Sequence, residues 1–113
     1  MVATCATGGR PDMALSVLGL LAGYEDAPVW IVEDETTTRI LHRSESWTIV
    51  GAEGKTFSII AIAPNTEVSE HGLEWEINHS PLGLLADTGI SNLVRKTAKI
   101  QVHQGTAIAY LYK

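Results

Sequence analysis

The chain of 113 residues has a single cysteine, a single phenylalanine, 6% aromatic residues, and only eight lysines and arginines against thirteen acids, for a formal charge of −5. Each scarcity excludes something. The lone Cys5 rules out an internal disulfide and a thiolate metal cluster, so a reducing compartment, a bacterial-type cytoplasm, is the expected location. An acidic balance lacks the basic excess that phosphate backbones demand, which sets nucleic acid aside as a partner. The longest apolar run, residues 13–23, is interrupted by Ser16 and falls well short of the roughly 20 residues that span a bilayer, so no membrane partner is expected either. It also makes a poor secretory leader, with Arg10 alone before it, Asp12 misplaced and no Ala-x-Ala cleavage site after it.

What remains is 45% apolar. From the scaling of surface with mass, a chain of this size should expose about 6,000 Å² of the roughly 17,700 Å² it exposes unfolded. A core of that extent needs neither metal nor disulfide, and no cofactor is implied. With no repeat, linker or low-complexity tract, one domain over residues 1–113 is expected. The charges fall in blocks: net −5 over residues 1–38, +1 over 39–63, −5 over 64–94 and +4 over 95–113. Acidic and basic strands facing each other across a sheet would account for the segregation.

The periodicity changes along the chain. Pro11, Asp12 and a terminal Gly23 frame a helix over residues 11–22, and its apolar residues lie on nearly every side. Val29-Trp30-Ile31-Val32 reads as a strand covered on both faces. Strands are expected over residues 36–43, 46–51 and 55–63. Leu73, Trp75 and Ile77 alternating with Glu74, Glu76 and Asn78 give the clearest half-buried strand. Residues 89–96 suggest a short helix. Strands over 97–103 and 106–112 flank Gln104-Gly105, a tight hairpin signal. Short connections favour antiparallel neighbours, so the expected class is α+β: an N-terminal helix on an antiparallel meander of six to seven strands, open or curled into a half-barrel.

Several chemical motifs fail on spacing. Gly51-Ala52-Glu53-Gly54-Lys55-Thr56 has two residues between its glycines, where a phosphate loop has four and a helix follows. No Gly-x-Ser-x-Gly elbow occurs. His71, Glu74, Glu76 and His79 gather four ligand-type side chains, but strand parity sends the histidines to one face and the glutamates to the other. Pro64-Asn65, then His71 with Glu74 or Glu76, then Gly105-Thr106 resembles the layout of cupin barrels. That resemblance implies a metal-dependent enzyme built on those side chains, although Leu73 stands where the family has a second histidine.

Three tryptophans in a short chain carry the remaining expectation. Trp47 and Trp75 would line a pocket between sheet and helix, with His42 or His79 at its rim, while Tyr110 either contacts the ligand or, with Tyr112, flanks a subunit interface. The all-round apolar helix and the two-faced last strand favour self-association into a homodimer or higher homo-oligomer. The leading expectation is thus a non-catalytic homo-oligomer binding a small apolar or aromatic molecule. The alternatives are a cupin-like or other enzyme on the His71, Glu74, Glu76 and His79 cluster, and an adaptor whose acidic stretches dock a basic protein.

Overall fold

The computed structural model describes residues 2–4, 29–33, 35–86 and 88–113. All of their regular structure is strand: β1 (Val2–Thr4), β2 (Val29–Val32), β3 (Thr36–His42), β4 (Ser46–Ile49), β5 (Thr56–Ala61), β6 (Thr66–Leu73), β7 (Ile77–Leu82), β8 (Asn92–Gln104) and β9 (Thr106–Tyr112). The α+β class gives way to an all-β fold. The helix expected over residues 11–22 lies outside the described residues. The short helix expected at 89–96 is instead a turn leading into β8, whose Asn92 and Leu93 pair with Phe57 and Thr56 of β5. Val94 and Ala98 are buried on the way to β8's centre, a spacing that helix and strand both produce.

The strands order as β1-β2-β3-β9-β5-β8-β6-β7, with β4 on the other side of β8. Only β1 and β2 run parallel among the paired strands. The expected meander does not form, because only β2–β3 and β6–β7 are hairpins of consecutive strands. The cause is the length of β8. Its thirteen residues start against β5 and continue between β4 and β6, so one strand serves two layers that pack face to face.

The expected hairpin at Gln104-Gly105 is also corrected, since β8 and β9 are not paired. Gly105 is a corner between layers, with φ +81°. A Cβ there would sit 2.3 Å from the Thr66 hydroxyl oxygen, so only glycine lets the corner close against β6. The chain then enters β9, which fills the gap between β3 and β5.

Leu41, Phe57, Ile59, Val68, Val94, Ile100 and Val102 are buried in one continuous apolar core. Each such side chain contributes about 1.5–3 kcal/mol relative to exposure. Trp47, on β4 between exposed Ser46 and Thr48, packs edge-on to Trp30 at 5.4 Å and lies 6.1 Å from Phe57. The Arg39 guanidinium stands 4.5 Å over Trp30 and donates to the Ser46 carbonyl at 2.7 Å. Burial lowers its pKa, with Glu45 opposing.

Glu70 breaks the apolar pattern. It sits in a row with Ile77 and Ile100, is 0% exposed, and neither carboxyl oxygen has a hydrogen-bond partner among the described residues. Burial pushes its pKa up to about 7.

Candidate functional site

The stretch with the cleanest alternation in the sequence is not one strand. β6 ends at Leu73 and β7 begins at Ile77, so Glu74-Trp75-Glu76 is the tip of a hairpin, and Trp75 is 62% exposed. Gly72 makes the bend. Its φ is +84° and a Cβ would come within 2.2 Å of the Thr97 carbonyl oxygen, so the backbones of β6 and β8 touch there as no side chain would allow.

The tip is held by Asn92, which is 4% exposed. The Trp75 N–H donates to Asn92 Oδ1 at 3.0 Å, and Asn92 Nδ2 donates back to the Trp75 carbonyl at 2.7 Å. Asn92 Oδ1 also accepts the Leu93 N–H at 2.9 Å, and the Glu74 N–H donates to the Leu93 carbonyl at 2.8 Å. A carboxamide thereby replaces the strand that the tip lacks. The Gly72 N–H donates to Glu76 Oε2 at 2.7 Å, and Glu74 pairs with Arg95. The product is a tip whose backbone is pinned and whose indole stands open to solvent, with a carboxylate on each neighbouring residue. Such a face attracts planar cationic rings, by stacking and by the negative quadrupole of the indole.

The other expected pocket residues lie elsewhere. Trp47 is in the core at 7% exposure. His42 is buried at the end of β3, its Nδ1 2.8 Å from Glu45 Oε1. His79 lies on β7 with φ +47°, stacked at 3.5 Å on His103 and 2.9 Å from Glu67. Tyr110 pairs with Thr38 and Ser58 across three strands, its pKa raised by burial and by Tyr112. The structure does not gather these side chains around Trp75. The metal-type cluster disperses too: His71 is exposed, Glu74 turns to Arg95, Glu76 to Gly72, and His79 to Glu67 and His103. Among the described residues no group of three or more His, Cys, Asp and Glu side chains could hold a metal ion. Asn92, the residue that mounts Trp75, escaped the sequence reading. Its only trace was a turn-type Ser91-Asn92 pair ahead of the apolar Leu93-Val94.

Residues 37–107 match the sequence model of the thiamin pyrophosphokinase, vitamin B1 binding domain, family. The chain belongs to that family. A thiamine pyrophosphokinase of Arabidopsis thaliana is 28% identical over 114 residues, spanning 97% of this chain and 42% of that protein. The fold is that of solved thiamin pyrophosphokinases: TM-score 0.82 at 18% identity for the Bacillus subtilis protein, covering 99% of this chain and 55% of that one. For the Candida albicans protein the TM-score is 0.78 at 13% identity, covering 98% and 44%. The chain thus spans about half the length of these relatives.

Membership overturns the reading as a non-catalytic domain for an undefined apolar ligand, together with its cupin-like and adaptor alternatives. The family is one of enzymes, and this domain is described by its binding of a small molecule, vitamin B1. Among the described residues no helix is long and apolar enough to cross a membrane.

Proposed function

We propose that the chain is the thiamin-binding part of a thiamin pyrophosphokinase and that Trp75 is its stacking platform. The observation that carries this reading is the exposed indole between Glu74 and Glu76 on a tip whose backbone Asn92 pins. Thiamin joins a permanently cationic thiazolium to an aminopyrimidine, two flat rings of which one carries charge. An indole face stacks on either ring, and the two flanking carboxylates favour the cation. Asn92 acts as a positioning residue, because it fixes the tip before ligand arrives and so lowers the ordering cost of binding.

Transfer of a pyrophosphoryl group to the bound vitamin is the activity named for the relatives, which are about twice as long as this chain. In this reading, residues 1–113 act as one domain, present thiamin with its hydroxyl outward, and work as a homodimer in the cytoplasm. Leu84, Leu85 and Ile90 are also exposed, and exposed apolar side chains of this size favour cover by a second subunit.

Titrating thiamin into the protein while following tryptophan fluorescence tests the reading. Stacking should quench the Trp75 emission. Trp75→Ala should weaken binding at least tenfold, and Trp75→Phe should recover part of it. Unchanged thiamin affinity in Trp75→Ala would remove Trp75 from the site. A light-scattering mass equal to one 12.2 kDa chain at micromolar concentration would overturn the dimer.

A further inference from the structure

The opposite end of β8 from Asn92 carries a second concavity. The β3–β4 turn and the Gly105 corner enclose a cleft of about 310 Å³ lined by His42, Arg43, Gly105 and Thr106. That volume is at the lower end for small-molecule sites, about 300–1,000 Å³. The corner builds it: Gly105 presses against Thr66, which brings Thr106 into register with His42 at the end of the β3–β9 ladder.

The cleft carries Arg43, and the acids near it are engaged: Glu67, in register with Gln104 beside the corner, lies 2.9 Å from His79 Nδ1. Glu45, the nearest acid in sequence, is turned inward and engaged. Its Oε1 accepts the His42 N–H at 2.7 Å and lies 2.8 Å from His42 Nδ1, and its Oε2 is 4.0 Å from the Arg39 guanidinium. Arg43 is exposed and has neither hydrogen bond nor ion pair among the described residues. Glu74 and Glu76 belong to the other end of β8, beyond the roughly 8 Å over which exposed charges interact at physiological salt.

We infer that this cleft is an anion subsite that takes a phosphate group, free or carried as a monoester, on Arg43 and the Thr106 hydroxyl. A guanidinium fork matches two phosphate oxygens, and a hydroxyl donates to a third. His42, fixed by Glu45, forms the wall that orients the group. The site is separate from Trp75, so the two readings stand or fall independently.

Inorganic phosphate titrated into the isotopically labelled 113-residue protein, at constant ionic strength, tests the inference through the amide resonances of Arg43, Gly105 and Thr106. Saturable shifts confined to that end are expected, with affinity about tenfold lower in Arg43→Gln, partly restored in Arg43→Lys and unchanged in Trp75→Ala. Glycerol 3-phosphate should compete with phosphate for the same resonances. Tighter binding by the ester identifies an ester as the natural occupant, and equal binding identifies the free ion. Non-saturating shifts, the same shifts from chloride, or an unchanged affinity in Arg43→Gln would overturn the site. Thiamin titrated into the same sample shows whether the Trp75 reading survives in either case.

Discussion

Trp47 and Trp75 are the same residue on alternating strand patterns, yet one is sealed between two sheets and the other stands in water. Trp47 faces Trp30 and Phe57 and its fixity comes from close packing on every side. Trp75 has no such enclosure, and the backbone that carries it is held by four hydrogen bonds around Asn92 and the Glu74 and Leu93 backbone. Apolar packing therefore holds the scaffold, while a polar clamp holds the exposed tip. An indole spent on the core cannot recognise anything, and one offered to solvent contributes little to folding.

The largest effect that probes this division is expected from Trp47→Ala, which should cost about 3–5 kcal/mol in chemical denaturation by opening a cavity in the core. Trp75→Ala should stay within about 0.5 kcal/mol of the parent. Similar losses from the two would break the comparison.

Glu70 comes next, as a carboxyl sealed inside the apolar half of the contrast. Burial holds its carboxyl near 7 rather than 4.5, so the folded chain binds that proton more tightly than the unfolded chain does. Its contribution to stability is complete below about pH 4.5 and is lost as pH rises through about 7. Over that range the parent should lose on the order of 3 kcal/mol from this group. Denaturation midpoints of Glu70→Gln measured at pH 4.5 and 8.5 should show that slope removed, and an equal slope in both proteins would place the carboxyl in contact with solvent.

Asn92→Ala should cost about 1–3 kcal/mol, because it leaves the Trp75 N–H and carbonyl without their partner, and it should weaken thiamin binding with Trp75 still in place. Stability lost with thiamin affinity intact would show that the clamp serves folding alone. The smallest effect belongs to Glu74→Gln. Its exposed pair with Arg95 is worth at most about 1 kcal/mol, and the variant should instead lower the salt dependence of thiamin binding.

Local pattern revealed much of the scaffold and little of the site. Val29–Val32 and the strands beginning near residues 36, 46, 56 and 106 were legible, since period-two alternation and β-branched runs are properties of a few neighbouring residues. Leu73 to Asn78 misled because a hairpin tip that shows its indole to solvent has the same alternation as a strand that buries it. The corner at Gly105 misled for a related reason: a glycine at positive φ serves a hairpin turn or a change of sheet equally well. Glu70 was invisible, because nothing in Ser69-Glu70-His71 tells which face of β6 the core will claim.

The sequence by itself determined that the chain would be rich in short strands and which residues would bend it. Tertiary structure alone decided that β8 would serve two sheets, that β9 would enter between β3 and β5, and that Trp75 would stand exposed while Trp47 is buried. The reason is physical. Alternation fixes which side chains share a face of a strand, but the partner of that face is chosen by contacts distant in sequence, whose energy no local segment contains.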